Sequence, residues 1–239
     1  ALQTLPAEDF PDLAAGEMTH EFSIAAVDLK KLLDKTRFAI STEETRYYLN
    51  GIYLHPAGHA EPTLRAVATD GHRLAQIELP RPAGVDGMPG VIIPRKTVHE
   101  LYRLLEASDA EVRVGVSTSK VRFEIGTVTV TSKLIDGTFP DYARVVPQNN
   151  DKVLTVSNSQ FMGAVDRVST IASDRGRAVK LNLADDKLVL SVNNPEGGSA
   201  TEELGVSYTA APLEIGFNAR YLLDIAGQLE RDTAVFKLA

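Results

Sequence analysis

One order of elements is written twice along these 239 residues, and that duplication limits the fold more than any composition figure does. The segment Glu21-Phe-Ser-Ile-Ala-Ala-Val-Asp-Leu-Lys-Lys-Leu-Leu-Asp-Lys35 runs beside Val153-Leu-Thr-Val-Ser-Asn-Ser-Gln-Phe-Met-Gly-Ala-Val-Asp-Arg167. Phe22 meets Leu154, Ile24 meets Val156, Leu29 meets Phe161 and Leu33 meets Val165; Asp34 meets Asp166, Lys35 meets Arg167 and, farther on, Ser41 meets Ser173. A second match sets Ile93-Pro-Arg-Lys-Thr-Val-His-Glu-Leu101 against Ile215-Gly-Phe-Asn-Ala-Arg-Tyr-Leu-Leu223. A repeat of about 120–130 residues is a whole domain, not a solenoid unit. Two related domains are therefore expected, each running strand, helix, strands, helix, strands. That order belongs to the α+β class, with helices packed on antiparallel sheets.

In the first unit Phe22 and Ile24 alternate with polar residues, as in a short strand. A helix follows with Leu29, Leu32, Leu33, Thr36 and Ile40 on one stripe and Lys30, Lys31, Lys35 and Arg37 on the other side. Strands are expected within Thr45–Leu54, Leu64–Thr69, Arg73–Leu79 and Val91–Ile93, then a helix over Arg95–Glu106 with Val98, Leu101, Tyr102 and Leu105 inward. Three more strands follow at Glu111–Val116, Lys120–Ile125 and Thr127–Leu134, and the turn-rich Asp136-Gly-Thr-Phe-Pro-Asp-Tyr142 closes the unit. The domains are set at 1–19 for a tail and linker, where Pro6 and Pro11 oppose helix, at 20–148, and at 149–239. Thr233-Ala-Val-Phe-Lys-Leu-Ala239 reads as the strand after the last helix, at a point where the first unit continues through further strands. With no Met and no basic, apolar signal-peptide opening at residue 1, the chain is expected to be cut at both ends.

Composition narrows the function. There are 25 Lys plus Arg against 32 Asp plus Glu, a net charge of −7, which argues against a protein held on nucleic acid by its overall charge. The cations are unevenly placed: Asp28–Arg37 holds four basic and two acidic residues and Arg95–Glu106 three and two, so the rest of the chain totals −10. Two matching basic helices on an acidic body suggest a phosphate-facing surface; a solvated helix face is the alternative. The second unit's helices balance near zero, Arg167, Arg220 and Arg231 being offset by Asp166, Asp224 and Glu230. The absence of Cys excludes disulfides, thiolate metal sites and cysteine nucleophiles. No run approaches the ~18 apolar residues of a membrane span.

The most motif-like run is Val67-Ala-Thr-Asp-Gly-His-Arg-Leu-Ala75, where Asp70-Gly71 signals a tight hairpin turn. Turn geometry alone, an acid–base pair of Asp70 with His72, and a recognition loop all remain open from the residues themselves. No Ser-centred elbow or second carboxylate accompanies the pair. His55 and His59 have metal-like spacing only on a helix, yet they sit in the loop-like Leu54-His-Pro-Ala-Gly-His-Ala-Glu-Pro62, so no metal and no cofactor is expected. Asn193-Asn-Pro-Glu-Gly-Gly198 reads as a turn between strands. Arg46-Tyr-Tyr-Leu-Asn-Gly51, taken as strand, sends Tyr47 and Tyr48 to opposite faces, one to the core and one to cover the sheet or stack on a base.

Five of these runs, in order, resemble the bacterial DNA polymerase III β subunit family, the replicative sliding clamps: Arg46-Tyr-Tyr-Leu-Asn-Gly51, Val67-Ala-Thr-Asp-Gly-His-Arg-Leu-Ala75, Asp136-Gly-Thr-Phe-Pro-Asp-Tyr142, Asn193-Asn-Pro-Glu196 and Glu214-Ile-Gly-Phe-Asn218. The resemblance covers essentially the whole chain. Leu5-Pro-Ala-Glu-Asp-Phe-Pro11 is similar to the end of the family's first domain, and the two units to its second domain and most of its third. It implies DNA-clamp (processivity-fold) domains, each with two helices packed on antiparallel sheets, in a head-to-tail homodimeric ring with helices lining the hole. Such a ring encircles duplex DNA without sequence preference and gives the polymerase processivity in replication. It catalyses nothing and works in the cytoplasm, away from membranes.

The same resemblance implies DNA-facing positions at Lys30, Lys31, Lys35, Tyr47, Tyr48, Arg95, Lys96 and Arg103. It also implies a groove between the second and third domains for short linear motifs of polymerase, clamp loader and repair proteins. The matching positions are Leu49, Thr69, Gly71, His72, Arg73, Leu74, Pro140, Arg144, Val145, Asn218 and Tyr221. Leu49, Leu74, Pro140 and Val145 would supply apolar walls, and Thr69, Arg73, Arg144 and Asn218 would hold a backbone or a Gln side chain. The run Ser173-Asp-Arg-Gly-Arg177 departs from the family in being one residue shorter and lacking an aromatic, and the family's Met-Pro-Met-like ending is not in the sequence. The ring is expected of the full-length parent and a monomer of this chain alone. Two rivals stand beside the clamp: a hydrolase centred on Asp70 and His72, and an acidic protein-interaction scaffold that never meets DNA.

Overall fold

The computed structural model describes residues 4–6, 16–58, 60–106, 110–172 and 178–239; most of the expected N-terminal tail, His59 and the run Ser173–Arg177 lie outside them. The chain divides into two compact units, Ala1–Pro140 and Asp141–Ala239. The sequence puts that division at 148/149. The difference arises at the turn Tyr142–Arg144, which closes on itself through the Val145 N–H donating to the Tyr142 carbonyl and groups with the second unit.

In unit 1, β1 (His20–Ala25) buries Phe22 and Ile24 and exposes the residues between them. α1 (Ala26–Arg37) follows directly, with Ala26, Leu29, Leu32, Leu33 and Thr36 buried at spacings of three and four, one stripe of a helix. Thr36 fits that stripe because its hydroxyl donates to the Leu32 carbonyl at 2.7 Å. The helix ends at Arg37; Ile40, expected on its stripe, is buried beyond its end. β2 (Gly51–Ala57), β3 (Thr63–Thr69), β4 (Leu74–Pro80) and β5 (Val91–Pro94) form an antiparallel sheet in the order β4-β3-β2-β5. After α2 (Arg95–Leu105), β6 (Glu111–Val116), β7 (Lys120–Ile125) and β8 (Val128–Lys133) join β1 in a second antiparallel sheet, β1-β6-β7-β8. α1 packs against α2 and lies on β3 and β4. One hydrophobic core fills the space between, with Leu32, Ile52, Ile93, Leu101 and Phe123 fully buried.

Unit 2 consists of β9 (Lys152–Ser157), α3 (Asn158–Ser169), β10 (Ala178–Ala184), β11 (Lys187–Asn194), β12 (Gly198–Gly205), β13 (Leu213–Asn218), α4 (Ala219–Ala226) and β14 (Thr233–Leu238). Its sheet β12-β11-β10-β13 repeats β4-β3-β2-β5 strand for strand, and the pair β14-β9 repeats β6-β1. Even the register agrees: Ala25 faces Glu111 in unit 1 and Ser157 faces Thr233 in unit 2. α3 packs on α4 and on β11 and β12 over a separate core centred on Phe161, whose ring lies 4.9 Å from that of Phe236. The duplication seen in the sequence is thus a duplication of hydrogen-bond topology, in the α+β class that the sequence indicates.

Three expectations change. Of the expected strand Thr45–Leu54 only Gly51 onward is strand; Tyr47–Leu49 is a 3-10 turn, closed by the Leu49 N–H donating to the Arg46 carbonyl at 2.9 Å. Tyr47 and Tyr48 therefore do not alternate across a sheet but meet edge to face, 5.8 Å apart. The tight hairpin expected at Asp70-Gly71 is a four-residue loop, Asp70–Arg73, closed by pairing of Thr69 with Leu74. The match of Ile93 to Ile215 holds for the strand starts and slips by two residues at the helices, because β13 has six residues and β5 four.

Candidate functional site

The β3–β4 loop takes its shape from its own side chains. Asp70 Oδ1 accepts the backbone N–H groups of His72 and Arg73, each at 3.0 Å. The Thr69 hydroxyl donates to the Arg73 carbonyl at 2.7 Å and accepts the Gly71 N–H at 3.1 Å. Gly71 sits at φ +87°, a conformation that other L-residues rarely adopt. Arg73 Nε donates to Asp70 Oδ2 at 3.2 Å and its Nη2 to the Phe38 carbonyl at 2.7 Å, with the guanidinium 5.3 Å from the Phe38 ring centroid. The Arg73 side chain is only 11% exposed and ties the loop to the end of α1. Both Asp70 carboxylate oxygens are engaged by donors of the loop itself, which makes Asp70 a turn former and gives no support to an acid–base role with His72.

Arg46, which sequence reasoning read only as part of a strand, joins this loop to the turn that carries Leu49. Its Nε and Nη2 donate to the Glu43 carboxylate at 2.8 and 2.6 Å, and Nη2 also donates to the Asp70 carbonyl at 3.1 Å. The guanidinium holds the Glu43 carboxyl below its ordinary range. The available signal was the three-residue spacing of Glu43 and Arg46. Leu49 is 3% exposed, while Leu74 is half-buried at the start of β4. Gly137 lies against Tyr47 and Tyr48: a Cβ there would be 3.1 Å from Tyr48 Cβ. Pro140 is exposed, next to Phe139, which is buried and stacked on Tyr53 at 4.8 Å.

In unit 2 the expected residues fall in two places. Arg144 is 84% exposed on the turn Tyr142–Arg144, paired with Asp141 at 2.7 Å, and Val145 beside it is 69% exposed. Asn218 caps α4, its side-chain oxygen accepting the Arg220 N–H at 2.9 Å, and half-buried Tyr221 lies in the first turn of that helix.

The basic face of unit 1 sorts into held and free cations. Lys30 Nζ lies 3.9 Å from Glu106 and 5.1 Å from the Tyr102 ring centroid; the Arg37 guanidinium covers the same ring at 3.8 Å and pairs with Asp34 at 3.0 Å. Arg103 lies 4.0 Å from Glu100, and Lys35 is half-buried. Lys31, Arg95 and Lys96 are exposed and have no ion pair among the described residues. Arg95 and Lys96 occupy the first turn of α2, which has neither an acid nor a side-chain cap. Cations there oppose the helix dipole at a cost of about 0.3–1 kcal/mol each, so stability does not account for them. In unit 2, Arg167 is bound by Glu202 and Arg220 faces Asp224 at 3.9 Å, so the free basic face is not repeated. Among the described residues no cluster of His, Asp or Glu could hold a metal ion, and no helix is long and apolar enough to cross a membrane.

Known proteins share this sequence and fold. The profile of the DNA polymerase III beta subunit central domain matches residues 23–141, and that of its C-terminal domain matches residues 143–239. The beta sliding clamp of Caulobacter vibrioides is 52% identical over 239 residues, covering 100% of this chain and 64% of the relative; that of Escherichia coli K12 is 40% identical over 230 residues, covering 96% and 62%. The DnaN sliding clamp of Bartonella birtlesii, solved bound to griselimycin, superimposes with a TM-score of 0.96 at 59% identity, over 100% of this chain and 64% of that one. The Pseudomonas aeruginosa clamp, solved with a ligand, gives 0.91 at 41% identity over 98% and 63%. The chain thus spans less than two thirds of the length of these relatives. With both units matched from end to end, it belongs to the DNA polymerase III beta subunit family, the sliding clamps.

Proposed function

We propose that the protein bearing this chain is a sliding clamp: a homodimeric ring that encircles duplex DNA in the cytoplasm and tethers the replicative polymerase, without catalysing a reaction. The observation that carries the reading is the duplicated sheet-and-helix unit, shared in sequence and topology with sliding clamps along the whole chain. Lys31, Arg95 and Lys96 are the DNA-facing cations with the best support, since they have no ion pair among the described residues, and Arg95 and Lys96 also stand where helix stability disfavours them. Lys30, Lys35, Arg103, Tyr47 and Tyr48 remain in the proposed lining as weaker contributors. A lining of so few charges suits a clamp that slides, because retention by encirclement needs no tight phosphate contact. The β3–β4 loop, Leu74 and Leu49 form the proposed seat for partner motifs. Clamp loader and repair proteins would use the same seat. The test is retention on nicked circular against linear DNA at high salt, using a subunit of the relatives' length that carries this sequence. Retention on the circle alone is expected; equal loss from both would show that charge, not encirclement, holds the protein.

A further inference from the structure

The shape of the β3–β4 loop and its placement have different causes. Asp70 and Thr69 set the shape from inside, through bonds to His72, Arg73 and Gly71. Those bonds would survive if the loop swung as a body. Two guanidiniums tie it to the rest of unit 1: Arg73 to the Phe38 carbonyl beyond α1, and Arg46 to the Asp70 carbonyl from the turn that carries Leu49. Arg46 is itself aimed by a two-pronged bond to Glu43, and Glu43 is held in turn by its backbone N–H donating to the hydroxyl of buried Ser41 at 3.1 Å. A Cβ on Gly71 would lie 2.3 Å from Arg46 Nη1, so an edge of the guanidinium is packed against the loop's crest as well as bonded to it.

We infer that Arg46, oriented by Glu43, is a positioning residue for partner binding: it holds the β3–β4 loop at a fixed distance from Leu49 and so sets the seat that Leu74 offers to a motif. This rests on the partner-seat reading above. The planar fork matters, because one guanidinium reaches both a carboxylate and a carbonyl in fixed geometry, which an ammonium cannot reproduce. Loss of the strut leaves the loop's internal bonds intact and lets the loop drift, and binding then has to order it again.

The experiment compares the full chain with Arg46→Ala, Arg46→Lys, Glu43→Gln and Leu74→Ala. The probe is a synthetic Gln-Leu-containing peptide. Affinity is read by calorimetry, and backbone amide exchange at residues 70–73 is read without peptide. Arg46→Ala is expected to weaken peptide binding about tenfold, the scale of one charged hydrogen bond, and to speed amide exchange in the loop. Arg46→Lys and Glu43→Gln should fall between it and the parent, with melting temperatures unchanged. Weakened binding with unchanged exchange would make Arg46 a direct peptide contact and overturn the positioning role. Unchanged affinity in Arg46→Ala beside a clear loss in Leu74→Ala would overturn this inference alone. Unchanged affinity in both would overturn the partner seat, and this inference with it.

Discussion

Replacing Lys31, Arg95 and Lys96 together with Gln removes three cations of α1 and α2 that have no ion pair among the described residues. If each neutralises one phosphate, the slope of log affinity against log salt falls by about 2.7, from 0.9 per contact. Over a fourfold rise in salt, from about 50 to 200 mM, the parent should then lose about 40-fold more affinity for a short linear duplex than the variant does. The matched control replaces Lys30, Arg37 and Arg103, which are already held by Glu106, Asp34 and Glu100 and, for the first two, by the Tyr102 ring. It removes the same formal charge from the same helix pair. Fluorescence anisotropy of a labelled linear duplex, titrated at several salt concentrations, measures both slopes. A control slope that drops as far as that of the first variant would refute the division into held and free cations, leaving only net charge at work.

Phe161→Ala empties the centre of the unit 2 core, where the ring is fully buried, and should cost about 3–5 kcal/mol; amide exchange should then quicken through β10 and β11 while β6 and β7 keep their protection, and equal loss in both would contradict two separate cores. Asp185 and Asp186 form the β10–β11 turn at φ +49° and +60°, and Asp186 is occupied in accepting the Tyr208 N–H at 2.8 Å. Asp185→Gly should therefore stabilise unit 2 by about 0.5–1 kcal/mol in urea unfolding, by relieving the left-handed backbone. Burial beside Tyr53 lowers the His55 pKa below its ordinary 6.5, so the unfolded chain takes up a proton that the folded one refuses. Unit 1 should lose stability as pH falls below about 6.5, and His55→Phe should flatten that part of the stability–pH curve in chemical denaturation.

What could be read in advance was whatever depends on near neighbours in the chain. The stripe from Ala26 to Thr36 and the strict alternation over Lys120–Ile125 record burial at the periods of helix and strand, and both elements stand where the sequence puts them. The segment before β2 could not be read this way. Arg46-Tyr-Tyr-Leu has strand-like composition, yet the Arg46 side chain bonds the Asp70 carbonyl 24 residues away, and a 3-10 turn is the backbone that lets it reach. The positive charge of α1 and α2 was likewise visible. Which cations are free was not, because that depends on Tyr102 and Glu106 of one helix meeting Lys30 and Arg37 of the other. Arg73 shows the same limit. The resemblance puts it in the partner groove, and only the fold reveals the Phe38 carbonyl that it also holds.

The sheets β4-β3-β2-β5 and β12-β11-β10-β13 share one strand order, but the chain between their strands does not keep one length. α1 and β2 are separated by residues 38–50, whereas α3 and β10 are separated by 170–177; β2 and β3 are separated by 58–62, and β10 and β11 by Asp185 and Asp186 alone. A copied domain therefore kept its frame in both places and let its connections drift apart. The longer connection of the first copy contains Glu43, Arg46 and Leu49. Inheritance has in this way separated two jobs that a single-copy protein must reconcile. The ladder fixes curvature and is closed to change, while one copy's surplus backbone is open to it. In the proposed clamp, the partner seat can be revised by editing about a dozen residues ahead of one strand while the sheet frame is left untouched.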